Sequence, residues 1–220
     1  MIDKKLQVFV SSTFADLKEE REAVVEAILS SGHIPAGIYY AVFNKWETIL
    51  KELEEMINNP NVKENDLQKY FEKYPELLKG DDYDLIIPQA TIIGNSNTSW
   101  RADFVLRPFD QINFCKILEL KVPQLYTIKK EKSGHVNFYS ELNSAIRQLK
   151  DYYRAFNNDI TKKMFSEKYK TNVFEPDLQL LIGRKWDTQQ INHMQSLQRD
   201  NNIKINDWDT LIELLKRKFT

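Results

Sequence analysis

Two hydrophobic periods run along the chain, and their order sets out its elements. Leu6-Gln7-Val8-Phe9-Val10 is a short apolar run of strand type. Leu17, Val24, Val25, Ile28 and Leu29 then keep helical spacing to about residue 30, where Gly32 reads as a C-cap ahead of Pro35. Over residues 45–58, Trp46, Ile49, Leu50, Leu53, Met56 and Ile57 form one apolar stripe, with Glu47, Lys51, Glu52, Glu54 and Glu55 outside it. Asn58-Asn59-Pro60 ends that helix. A second helix, about 63–73, turns Leu67, Tyr70 and Phe71 inward and carries Glu64 and Gln68 four apart on one face.

The period then changes to that of strands. Residues 85–93 form the first sheet segment, and Pro88 inside it points to an edge strand or a bulge. Residues 102–106 and 116–121 follow as a second and a third strand, joined through a turn at Pro108-Phe109-Asp110-Gln111. Residues 129–137 read as a polar, solvated loop whose basic groups can also touch phosphate. A long helix over about 140–157 is marked by Leu142, Ala145, Ile146, Leu149, Tyr153 and Phe156, with Gln148 and Tyr152 as an i, i+4 pair beside the stripe. Residues 159–175 are charged and poorly patterned. An apolar strand (178–182), a helix (188–199), a short strand (203–205) and a final helix (207–219) complete the chain, and no internal repeat is visible.

Composition changes this picture little. At 220 residues and 42% hydrophobic content the chain has enough apolar surface for a core. Its single cysteine, Cys115, excludes an internal disulfide framework and a cysteine-based zinc site, and suits a reducing cytoplasm. No signal peptide and no apolar run of membrane-spanning length is present, so no membrane partner is expected. A net charge of -1 excludes a generally basic coat but leaves room for local binding of a polyanion.

The candidate chemistry lies in the second and third strands. In a strand, alternate side chains leave opposite faces, so Glu119 and Lys121 share a face while Leu118 and Leu120 point the other way. An antiparallel neighbour bearing Asp103 would bring two carboxylates and a lysine to one point. Such acids suit a hard divalent cation, and such a lysine orients a water or steadies a charged phosphate. Taken singly, Asp103 is also readable as a strand-edge charge, and Glu119 with Lys121 as a solvent-facing pair worth roughly a few tenths of a kcal/mol. The Ser11-Ser12-Thr13 turn before the first helix reads more simply as a cap than as an anion site.

The order helix, three strands, long helix, strand, helix, with Asp103 and then Glu119-Leu120-Lys121, resembles the PD-(D/E)xK nuclease superfamily. Gln148-Leu149-Lys150-Asp151-Tyr152 is similar to the Q-x-x-x-Y signature of its RecB-like branch. Tyr74-Pro75-Glu76-Leu77-Leu78, Ala102-Asp103-Phe104-Val105, Leu118-Glu119-Leu120-Lys121 and Leu181-Ile182-Gly183-Arg184, in that order, resemble the nuclease domain of the Shedu anti-phage defence family over residues 45–220. Val8-Phe9-Val10-Ser11-Ser12-Thr13-Phe14, with Gly32-His33-Ile34-Pro35, resembles the opening of a TIR-like domain, truncated here to residues 1–44.

These resemblances imply an α/β fold, a restriction-endonuclease-like mixed sheet flanked by helices with a small N-terminal βα appendage. They imply a Mg2+- or Mn2+-dependent endonuclease that cuts or nicks DNA in anti-phage defence. Asp103, Glu119 and the Leu120 carbonyl would hold the metal, and Lys121 would position a water. Gln148 would bond to the nucleophile or to Lys121, Tyr152 would pack or contact phosphate, and Glu64 would add a second carboxylate or a supporting contact to the groups around the metal. A non-catalytic nucleic-acid-binding or assembly module, and a TIR-like nucleotide or NAD hydrolase, are the alternative readings. The same resemblance implies a homo-oligomer assembled through the nuclease domain. Light scattering of the purified protein is therefore expected to give a multiple of the chain mass, and a monomeric mass would contradict it.

Overall fold

The computed structural model describes residues 7–8, 23–24, 26–28, 30, 34–35, 38–94, 98–110, 114–130 and 136–219. The chain divides into two compact units, Met1–Glu55 with Leu211–Thr220, and Met56–Thr210.

In the first unit, β1 (Gln7–Val8) pairs in parallel with β2 (Ile34–Pro35). Residues 23–24, 26–28 and 30 are helical, and Ile28 is buried. The Ser11–Thr13 turn, Gly32 and His33 lie outside the described residues. Helix α1 (Ile38–Asn58) starts seven residues before the stripe that marks it in the sequence. Within this unit it buries Ile49, Leu50 and Leu53, and Trp46 stacks on Phe219 with ring centroids 4.3 Å apart.

The second unit is built on a five-stranded mixed sheet of order β3-β4-β5-β8-β9, flanked by helices. Its strands are β3 (Tyr83–Ile93), β4 (Ser99–Pro108), β5 (Lys116–Leu120), β8 (Asp177–Leu181) and β9 (Lys204–Asn206). The pairs β3–β4 and β4–β5 are antiparallel, as their short connections require, and β5–β8 and β8–β9 are parallel. Ahead of the sheet come α2 (Glu64–Lys73) and the single turn α3 (Glu76–Lys79), which Gly80 ends at φ +58°. Between β5 and β8 lie the two-stranded ribbon β6 (Ile128–Lys130) and β7 (Val136–Phe138), then α4 (Ser140–Ala155) and α5 (Asp159–Tyr169). Helices α6 (Thr188–Asn201) and α7 (Trp208–Phe219) follow β8 and β9.

Two apolar layers hold the sheet. Leu142, Ala145, Ile146 and Leu149 of α4 pack with Ile87, Val105, Ile117, Leu180 and Ile182. The alternate residues of β4 and β5, such as Phe104 and Leu118, are buried away from that cluster, and Phe71 of α2 meets Phe104 edge-on at 6.4 Å. The sheet is thus buried on both sides, and β5 is buried from Ile117 to Leu120, Glu119 included. The free edge of β3 is covered from α5: the Thr91 amide donates to the Tyr169 hydroxyl at 2.9 Å, and the Thr161 hydroxyl donates to the Ile93 carbonyl at 2.7 Å.

Two stretches differ from their sequence reading. Residues 129–137 do not form a simple loop, because β6 and β7 pair from Ile128↔Phe138 to Lys130↔Val136; residues 131–135 lie outside the described ones. Three-residue strands are too short to display an alternation. The poorly patterned stretch 159–175 contains α5, capped by the Asn158 side chain, which accepts from the Ile160 amide at 2.8 Å. Its pattern is weak because Ile160 and Met164 are exposed while Phe165 is buried.

Leu149 is fully buried against the sheet whereas Leu214 is half exposed. Leu149→Ala is expected to cost about 2–5 kcal/mol of stability and Leu214→Ala at most about 0.5 kcal/mol, both read by denaturant unfolding.

Candidate functional site

The site forms where β4 and β5 part. Their pairing runs from Leu106↔Lys116 to Phe104↔Leu118, so the next opposed positions are Asp103 and Glu119. There the Asp103 side chain takes over from the backbone ladder, its Oδ2 accepting from the Leu120 amide at 2.7 Å. On the other side of β4 the regular pleat also breaks. Core positions step by three, Ile87 to Ala90 and Ala102 to Val105, and Gln89 between them has φ +48°. Gln89 Nε2 donates to Asp103 Oδ1 at 3.4 Å. Pro88 foreshadows the edge position, whereas the register shift of β3 lies at Tyr83/Leu85 and the register is unbroken from Pro88↔Phe104 to Ala90↔Ala102.

Glu119 is buried, with 2% of its surface exposed, which removes the reading of a solvent-facing pair. Lys121 Nζ donates to its Oε1 at 3.0 Å, and the Tyr152 hydroxyl donates to its Oε2 at 3.4 Å. The same single hydroxyl proton is shared with the nearer Arg101 carbonyl at 3.0 Å, and the Tyr152 oxygen accepts a short bond from Gln148 Nε2. The i, i+4 pair on α4 therefore reaches the acids through Tyr152. Lys121 Nζ further donates to Glu64 Oε2 at 3.3 Å, so the first residue of α2 joins the cluster from a half-exposed position. Five of the six side chains singled out in the sequence (Glu64, Glu119, Lys121, Gln148 and Tyr152) are thus joined by hydrogen bonds, and Asp103, held by the Leu120 amide and Gln89, is coupled to them through its charge. Leu120 contributes its amide to Asp103 and buries its side chain.

Three further residues hold this network. Gln68 is buried, donates from Nε2 to the Asp103 carbonyl at 3.1 Å and to Glu72 at 3.0 Å, and leaves its Oε1 buried without a hydrogen bond. Its spacing from Glu64 is visible in the sequence, but nothing there directs it to β4. Trp208 is fully buried, and its indole N–H donates to the Lys121 carbonyl at 2.8 Å, while the Lys121 amide donates to the Leu181 carbonyl at 2.8 Å. The Lys121 backbone is held at both polar groups just past the end of β5. Gln89 is the third, and only its position after Pro88 hints at it.

The electrostatics follow from burial. Desolvation raises the pKa of Asp103 against the Leu120 hydrogen bond and the Lys121 charge, which lower it. Desolvation, and then the Asp103 charge, push Glu119 up to about 7. Burial works against the charge on Lys121, but Glu119 foremost and then Glu64 outweigh it and hold its pKa above the ordinary value. Glu119, Glu64 and the partly buried Asp103 therefore lie in the field of one lysine, which bonds to the first two, and the site is short of positive charge.

Hard oxygen donors with uncompensated negative charge fit Mg2+ or Mn2+. No group of three or more His, Cys, Asp or Glu at metal-holding separation occurs among the described residues. The two carboxylates, a backbone oxygen and water would make up the shell.

A restriction-endonuclease-like α/β domain, with an acid pair and a lysine at the parting of two central strands, is the class that this fold and site define. Residues 61–212 match the family model for the C-terminal part of the Shedu protein SduA, and over that majority of its length the chain belongs to this family. Residues 7–59 match a domain of unknown function, DUF4062. Comparison with curated proteins returns no match.

A carboxyl group whose pKa is raised on folding stabilises the fold fully below its unfolded value, and that contribution is lost as pH rises through its folded value. In metal-free protein the Glu119 contribution is therefore expected to fade between about 4.5 and about 7. Melting temperatures followed across that window in chelator should fall less in Glu119→Gln than in the parent. Added Mg2+ should raise the parent's melting temperature most at the alkaline end.

Proposed function

We propose that the chain is a metal-dependent DNA endonuclease of the PD-(D/E)xK kind, acting in anti-phage defence. Membership of the Shedu family supports the defence role. The observation that carries the chemistry is the buried Glu119 carboxylate, shared between Lys121 and Tyr152 and set beside Asp103.

In this reading Asp103 and Glu119 hold Mg2+ or Mn2+ with the Leu120 carbonyl, and such an ion supplies Lewis acidity at the scissile phosphate and to an attacking water. Lys121 is kept charged by its two carboxylate neighbours, so it donates to that water or to a phosphate oxygen. Held through its backbone by Trp208 and Leu181, it keeps a fixed place relative to Glu119. Tyr152 and Gln148 orient Glu119 from behind, since the tyrosine hydroxyl bonds to the carboxylate oxygen that Lys121 leaves free. Glu64 restrains the lysine from the exposed side. DNA is the proposed substrate, and a cut or nicked strand the product.

Lys121→Ala is expected to lower Mg2+- or Mn2+-dependent cleavage of supercoiled plasmid by at least about 100-fold, with its far-ultraviolet circular dichroism spectrum unchanged. Cleavage by purified Lys121→Ala at the parent's rate would refute the assignment. Tyr152→Phe deletes the hydroxyl that reaches Glu119 but keeps the ring; a loss of about 10-fold or more in rate is expected, measured under single-turnover conditions.

A further inference from the structure

A cavity of about 480 Å3 opens at the other end of the sheet from Asp103 and Glu119. Strands β3, β5, β8 and β9 run in one direction, and their first residues, Tyr83, Lys116, Asp177 and Lys204, line it together. Arg199 at the end of α6, and Asn202 just after it, complete the wall. Lys116 lies three residues before Glu119, roughly 10 Å along β5.

The lining is cationic without being paired. Lys116, Arg199 and Lys204 face Asp177 in the wall, and Asp82 beside Tyr83 adds a second carboxylate within reach of Lys116. The Lys116 ammonium stands over the Tyr83 ring at 4.5 Å rather than in an ion pair. Neither Arg199 nor Lys204 makes a side-chain hydrogen bond or ion pair among the described residues. Burial, and then the nearby Lys204, lower the pKa of Lys116, so the pocket resists its own positive charge. Tyr83 stays a neutral phenol, its pKa pushed up to about 12 by burial and then by Asp177.

Three cations against two acids leave a positive excess, and two of the cations have no carboxylate partner among the described residues, an arrangement that suits the charged oxygens of a phosphate. The volume lies within the range of about 300–1,000 Å3 for small-molecule sites and exceeds what a bare phosphate needs. Beside the cations the wall offers the partly exposed Tyr83 side chain, with Leu178 and Ile203 packed beneath the floor, a contact suited to a flat, uncharged body. We propose that this cavity binds a nucleoside phosphate, with Lys116, Lys204 and Arg199 on the phosphates and the Tyr83 side against the base or sugar. The site uses none of the residues assigned to cleavage.

Calorimetric titration of the full chain with ADP, in chelator, tests this. ADP is expected to bind while adenosine does not. Lys204→Gln and Arg199→Gln, both surface changes, should each weaken ADP about tenfold through loss of one charge-assisted hydrogen bond. Glu119→Gln should bind ADP as the parent does. Absence of ADP binding at millimolar concentration, or an unchanged affinity in both surface variants, would overturn the proposal. So would equal affinity for pyrophosphate, which would leave the nucleoside without a role, and so would loss of ADP binding in Glu119→Gln, which would move the ligand to the carboxylates.

Discussion

An ionisable carboxylate sealed inside a sheet is costly unless its oxygens are met, and Glu119 is such a group. Its two oxygens are met separately, one by Lys121 beyond the end of the same strand and the other by Tyr152 on α4. The surrounding structure is fixed by that requirement. Strand β5 has to lie inside the sheet, between β4 and β8, and α4 has to cross it with Tyr152 at the level of Glu119. The chain after Leu120 has to leave the ladder without losing Lys121, and the Trp208 indole and the Leu181 carbonyl meet that need.

The second acid sits beside the first because the β4–β5 ladder stops at Phe104↔Leu118. Opening a ladder inside a protein strands an amide, and an unpaired buried amide costs roughly 1–3 kcal/mol. Asp103 accepts from that amide, so its carboxylate is held in place by the same defect that makes room for chemistry. The irregularity at Gln89 on the neighbouring strand extends the defect toward the sheet edge. Regular pairing resumes on both sides, which confines the strain to a few residues.

The two ends of β5 differ in sign. Its carboxyl end carries more acid than base and its amino end more base than acid, so each end is short of a partner of opposite charge. The first shortage underlies the proposed metal site and the second the proposed nucleoside phosphate site. A net charge of -1 conceals both, because the local imbalances cancel in the sum.

Much of this was legible in the amino-acid order. Strand alternation placed Glu119 and Lys121 on one side of β5, and short connections made β3, β4 and β5 antiparallel neighbours. Helical spacing put Gln148 and Tyr152 together, and Pro88 marked the edge strand. These are local features, fixed by periods of two or about 3.6 residues and by the limited reach of a short turn. The ribbon β6–β7 and helix α5 were not legible, since one is too short to show a period and the other leaves apolar residues exposed. Only the tertiary structure decided that Glu119 is buried, and that Gln68, Gln89 and Trp208 serve the site. Their hydrogen bonds span 35, 14 and 87 residues of chain, distances over which no local pattern carries information.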